Sequence, residues 1–236
     1  MSDLHDNTIT PYSGETFHRF ALPIPDSDAR RLTAGWLLLG LAALLIGGLL
    51  TVLIVLSRTP FFQGIIPWTD FFLTAIVVHV DMTVLVWFLA FAGVFWSYNN
   101  SNRCPPCGWI ALALASVGTL IMAVSPFSGE SYPLMNNYVP VLQSTTFFTG
   151  LTVFSIGFGF LVLRTLFSSW LPWNRITGEV ALRFGLFVAV VGACFAILAF
   201  ALSYLGIDEG FEGQAYYDRL FWGSGHIIQF SHTTTM

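Results

Sequence analysis

The sequence predicts an all-α protein, a polytopic transmembrane helical bundle of six spans. Two observations carry that prediction. Hydrophobic residues make up 55% of the 236 positions and charged residues only 9%, against about 25% charged in a soluble domain. The apolar residues are also gathered into runs of the length that crosses a bilayer as helix, about 20 residues.

Residues 1–32 are polar and partly acidic (Asp3, Asp6, Glu15, Asp26, Asp28) and read as a cytoplasmic tail. They lack the basic start and short apolar run of a signal peptide. Residues 33–236 read as the membrane domain. Its first span runs from about Thr33 to Leu56 without a charge, between Arg30, Arg31 and Arg58. The second runs from about Trp68 to Trp96 and holds His79 and Asp81, and the third from about Gly108 to Phe127. The fourth is predicted from about Val139 to Leu163, with Pro140 in the first turn, where a missing N–H costs nothing. The fifth covers about Phe184 to Leu205. The sixth runs from about Tyr216 to Met236 and is the least apolar, closing on the polar stretch Ser231-His232-Thr233-Thr234-Thr235. No internal repeat, low-complexity segment or long linker interrupts the series, so one bundle is the simplest organisation.

Arginine placement orients the bundle. One side of the predicted membrane collects Arg19, Arg30, Arg31, Arg103, Arg164, Arg175 and Arg183, and the other only Arg58 and Arg219. This places the N-terminus in the cytoplasm. Trp36, Trp96, Trp109, Trp170 and Trp173 are expected at the inner interface and Trp68 at the outer one. The chain has no Lys, and its nine Arg are scattered, which leaves no basic surface for nucleic acid.

Ionisable side chains inside a membrane are costly, and each is a functional candidate. His79 and His226 fall at similar depth, roughly 15 Å below the outer surface at 1.5 Å rise per residue. Paired imidazoles are what metal or haem ligation uses; a His hydrogen-bonded to a neighbouring helix is the plainer alternative. Trp222 precedes His226 by one turn on the same face. Gly223 and Gly225 beside it leave room for a bulky planar group or for a close helix. Gln229 and Thr233 continue this face, as a hydrated track or as interhelical hydrogen bonds. Met82, Thr83 and Val86 share the face of His79, and Thr83 is placed to orient a ligand or water. Asp81 points to the opposite side, as a proton carrier or, more plainly, a structural group. His232 lies off the face of His226 and is assigned no metal.

Cys104-Pro105-Pro106-Cys107 lies between spans two and three. Without a second pair or a βαβ context, it reads as a stiff turn with reduced thiols, as expected in cytoplasm. Cys194, in mid-span, reads as a small hydrophobe.

These residues together resemble the first half of subunit I of the heme-copper oxidase family. Trp222, Gly225 and His226 fit a W-x-x-G-H pattern on the sixth span, and His79 falls on the second. The runs Asn136-Asn137-Tyr138-Val139-Pro140-Val141-Leu142 and His79-Val80-Asp81-Met82-Thr83-Val84-Leu85-Val86-Trp87 resemble bacterial members. Phe230, four residues after His226, stands where mitochondrial-type members carry Tyr. That departure points to the C-type (cbb-like) or nitric-oxide-reductase branch.

The resemblance implies a low-spin haem, b-type, with His79 as axial ligand. It also implies a copper B ion with His226 as one ligand and Trp222 and Gly225 beside the centre. Further ligands belong to later helices of a twelve-span bundle, so this chain is expected to be its first half. Implied partners are the remaining half or other oxidase subunits, a cytochrome c or quinol donor, and the lipid of a bacterial inner membrane. The implied activity is electron transfer through haem to a haem–copper centre that reduces oxygen to water with proton uptake. Three rivals stand beside it: a nitric oxide reductase-like subunit, a small b-type cytochrome clasping one haem between His79 and His226, and a non-catalytic accessory subunit. No Glu falls inside the predicted spans, which favours copper over the reductase.

Overall fold

The structure is a computed structural model, and it describes residues 27–62, 71–99, 104–129, 131–168 and 178–235. Most of the predicted tail, together with Trp68, Arg103, Glu130, Trp170, Trp173 and Arg175, lies outside the described residues.

The described residues form six long helices and one small hairpin. Helix α1 spans Ser27–Ser57. It begins ahead of the apolar run, so its first turn carries Asp28, whose charge suits a helix N-terminus. Helix α2 spans Phe71–Asn99 and contains a π-helical segment, Asp81–Val86. Helix α3 is Pro105–Val124, extended by a 3-10 turn, Ser125–Phe127. Strands β1 (Tyr132–Leu134) and β2 (Val141–Gln143) pair antiparallel, with Tyr132 opposite Gln143. Helix α4 follows at Thr145–Ser168, α5 at Gly178–Gly206 and α6 at Gly213–Thr235.

Five of these helices are long and apolar enough to cross a membrane, and α6 is not among them. Its 23 residues give about 35 Å of helix, ample for a bilayer core. What it lacks is apolar character, because Ser224, His226, Gln229, Ser231, His232 and three Thr interrupt it.

The fourth span differs from its prediction. Residues Val139, Pro140 and Val141 are not its first turn; they form a loop and the hairpin's second strand. Pro140 cannot donate to a helix ladder, and the Val residues flanking it favour extended backbone. The helix starts after Ser144, whose Oγ accepts the Phe147 N–H at 3.2 Å as an N-cap does.

Small residues set the close contacts. Between α3 and α4 the backbones nearly touch. A Cβ on Gly118 would lie 2.3 Å from the Phe154 nitrogen, and one on Gly157 would lie 2.5 Å from the Ala115 nitrogen. Between α1 and α2, Gly93 makes the notch that holds the Trp36 ring. Trp36 and Trp96 are fully buried, so they fill the core rather than an interfacial belt; Trp109 is exposed, as a belt residue is. Helix α5 pairs with α6, where the Ser231 hydroxyl donates to the Ala189 carbonyl at 2.7 Å and Gly192 gives Ser231 its space.

Cys104 and Cys107 are joined as a disulfide, which corrects the expectation of reduced thiols. Two prolines begin α3 directly after Cys104. The resulting turn holds the two Cα atoms 5.4 Å apart, within the range that a disulfide spans.

Candidate functional site

His79 sits near the end of the regular part of α2, just before the π segment. A π-helical turn inserts extra backbone into a helix and often occurs at functional sites. The imidazole faces α1. Its Nδ1 lies 2.9 Å from the Gly47 carbonyl oxygen. A carbonyl only accepts, so Nδ1 carries the proton and donates it. Thr51 Oγ1 lies 3.1 Å from the same nitrogen, and its own hydroxyl donates to the Gly47 carbonyl at 3.1 Å. The ring is thereby fixed in one orientation with Nδ1 as the donor. Nε2 has no hydrogen-bond partner among the described residues. Gly47 itself is required here, because a Cβ would lie 2.5 Å from the Thr83 methyl and 3.6 Å from the His79 carbonyl.

The Thr83 hydroxyl donates to the His79 carbonyl at 2.8 Å, so it braces the backbone that carries the histidine. Met82 and Val86 are fully buried, with the Met82 Cβ toward Gly47. Asp81 is completely buried, and neither carboxyl oxygen has a hydrogen-bond partner among the described residues.

His226 is built differently. It lies on an exposed face of α6 with Trp222, Gln229, Phe230 and Thr233. The Trp222 and His226 rings meet edge to face, with centroids 4.4 Å apart, as the one-turn spacing predicts. The planar group against Gly225 is Tyr138 of the same chain, where a Cβ would lie 2.2 Å from the phenol ring. Tyr138 Oη lies 2.6 Å from His226 Nδ1 and 3.1 Å from Nε2. Tyr138 has φ +71°, a conformation uncommon for a residue with a side chain. Its loop is tied down on α6 at two points. The Asn137 N–H donates to Asp218 Oδ1 at 2.9 Å, and Gln214 Nε2 donates to the Met135 carbonyl at 2.7 Å.

The structure therefore holds the two histidines on separate partners, His79 on α1 and His226 on the hairpin loop. No group of three His, Cys, Asp or Glu able to hold a metal ion occurs among the described residues. His232 stacks on Phe88, with centroids 5.0 Å apart, and takes no part with His226. The sequence reading missed Gly47, Thr51 and Tyr138. Tyr138 stands 88 positions from His226, so no local spacing links them, and Gly47 acts through a backbone carbonyl that every residue has.

The fold thus defines an all-α, membrane-type helical bundle with one histidine held against α1 through Nδ1 and a second held on an exposed helix face. The chain is similar to an uncharacterized protein of Rickettsia prowazekii, 26% identical with 88% of this chain and 45% of the relative covered. It is similar to an uncharacterized protein of Aquifex aeolicus, 28% identical over 83% of this chain and 49% of the relative. It is also similar to cytochrome c oxidase subunit 1 of Thermus thermophilus, 25% identical over 84% of this chain and 39% of the relative. The chain spans about half or less of the length of these curated relatives. It matches no protein-family model and no solved structure.

Proposed function

We propose that this chain is a subunit I-like part of a respiratory heme-copper terminal oxidase and carries the first half of its bundle. The observation that supports this best is the state of His79. A ligating histidine commonly donates its other ring N–H to a backbone carbonyl, which fixes the tautomer and raises the basicity of the ligating nitrogen. His79 has that arrangement through Gly47. With Nδ1 engaged by the Gly47 carbonyl, Nε2 is the nitrogen through which His79 would hold a haem iron. When bound, the haem supplies one-electron redox chemistry, and the protein tunes it through the ligand and burial. The chain's own contribution is to hold the proton at Nδ1 and to orient the ring against α1.

The fit to copper B is incomplete in this chain. His226 is one candidate ligand, but Tyr138 engages its ring and no second or third ligand stands beside it among the described residues. No step is derived through the copper. The exposed face of α6 favours a larger assembly. Lipid cannot solvate His226, Gln229 and Thr233 as it does the exposed Leu38, Leu45 and Val55 of α1, and cover from a further helical half or other subunits removes that cost. The greater length of the relatives agrees with such cover. Cytochrome c or quinol as donor, and a bacterial inner membrane with the N-terminus in the cytoplasm, complete the reading.

The small b-type cytochrome is disfavoured because it needs both histidines on one haem, whereas each is held on a different neighbour. The experiment is pyridine haemochrome and metal analysis of the protein purified from its native membrane. Haem and copper together support the oxidase reading. Haem without copper favours the reductase-like or b-cytochrome reading, and absence of haem overturns all three.

A further inference from the structure

We propose that Cys104-Pro105-Pro106-Cys107 is a thiol–disulfide exchange site, with Cys104 as the attacking thiol and Cys107 as the resolving one. The pair belongs to no part of the haem reading, and four observations set it apart from a structural staple.

The first is loop size. The disulfide joins residues only three positions apart, and a loop that short gains little from cross-linking, because the stabilisation grows with the logarithm of loop length. The second is exposure. Cys104 is exposed while Cys107 is half-buried, so Cys104 is the more accessible of the two to an incoming reagent. The third is charge. Both sulfurs lie at the N-terminus of α3, the positive end of its dipole. Arg164 reaches across from α4, its Nε donating to the Cys104 carbonyl at 3.3 Å. Its guanidinium carbon stands 3.3 Å from where a Cβ on Gly108 would be. A cation and a helix N-terminus both favour the thiolate, the reactive form of cysteine. The fourth is location. In the orientation proposed above this end of the bundle faces the cytoplasm, where disulfides are usually transient and catalytic rather than structural.

The step balances without a metal. In the reduced form the Cys104 thiolate attacks one sulfur of a substrate disulfide, and the other substrate sulfur leaves as thiolate. Cys107, having lost its proton to water, attacks Cys104 Sγ in the mixed disulfide. The Cys104–Cys107 bond forms, and the second substrate thiolate leaves. The dithiol loses two electrons and the substrate disulfide gains them. A low-molecular-mass thiol of the glutathione class resets the pair by the reverse route. The carbonyl that Arg164 holds belongs to the attacking residue, so Arg164 is a positioning residue for Cys104.

The test uses the whole protein in detergent or nanodiscs, equilibrated with reduced and oxidised glutathione and then trapped with a mass-tagged maleimide. The expected result is a reversible two-electron titration under native conditions. In Cys107→Ser, Cys104 should react with iodoacetamide at pH 7 about ten times faster than an unperturbed thiol of pKa near 8.5. It should also be captured as a glutathione mixed disulfide. In Cys104→Ser, Cys107 should react at least ten times more slowly. Arg164→Gln should move the pH profile of Cys104 alkylation upward, and Arg164→Lys should restore most of it. A disulfide that reduces only after denaturation overturns the proposal, as does a Cys104 no faster than free cysteine. Haem content is read on the same samples, so failure here is distinct from failure of the oxidase reading.

Discussion

The two histidine regions are made by opposite means. His79 is held by backbone: a glycine carbonyl on α1 accepts its Nδ1–H, and a Thr on its own helix braces the turn beneath it. His226 is held by side chains and a loop: a Tyr at positive φ, an edge-on Trp and a glycine whose space that Tyr fills. The first region is complete within α1 and α2. The second lies on a helix face that remains exposed, with Trp222 59% and Phe230 71% accessible. One histidine is therefore fixed wholly within packed helices, and the other stands on a face that the described residues leave open.

Breaking each region separately sharpens this contrast, and the sizes of the effects should follow the rigidity of what is disturbed. The largest loss is expected at the backbone-to-backbone contact of α3 with α4, outside both histidine regions, where Gly118→Ala drives a methyl into the backbone at Phe154. Overpacking costs about 1–3 kcal/mol, and backbone on both sides places this variant near the top, about 3 kcal/mol. SDS-titrated unfolding followed by tryptophan fluorescence reads it. Gly225→Ala meets the Tyr138 ring instead, and a loop side chain can swing aside. The same assay should show about 1–2 kcal/mol, with faster diethylpyrocarbonate modification of His226 as the phenol leaves it. An equal loss at the two glycines would contradict the view that a loop side chain yields where packed backbone does not.

Smaller effects come from single hydrogen bonds. Ser231→Ala removes the bond that fastens α6 to Ala189 on α5. Interhelical bonds in membranes average about 0.6 kcal/mol and reach about 1.7, so about 1 kcal/mol is expected from this buried one. Tyr138→Phe keeps the ring and removes the hydroxyl, with little change in stability and a several-fold rise in His226 modification. An unchanged rate would show that the Tyr138–His226 contact is not made in the membrane.

Much of this fold is legible in the sequence, because the bilayer forces long apolar helices whose composition announces them. The five clearest spans, among them the helix that carries His79, are of that kind; α6, which carries His226, is not apolar enough to be one of them. The beginning of α4 is not, because Pro140 suits a first helical turn and a strand end equally well, and the choice rests on pairing with Tyr132–Leu134 across the loop. Trp36 and Trp96 read as interfacial from their positions near the helix ends. Only the notch at Gly93 reveals why Trp36 is buried. The candidate site divides in the same way. His79, Trp222, Gly225 and His226 are visible as residue types at depth. Their partners, the Gly47 carbonyl and Tyr138, lie far away in sequence and depend on how the helices meet.

The central claim is that His79 is an axial haem ligand through Nε2 and that His226 serves a different centre. The most direct measurement is the reduced-minus-oxidised haem spectrum of the purified whole protein carrying His79→Ala or His226→Ala. Loss of the low-spin haem signal in His79→Ala, with the signal kept in His226→Ala, is the predicted result. A low-spin signal that survives in His79→Ala, or that disappears in both variants, contradicts it.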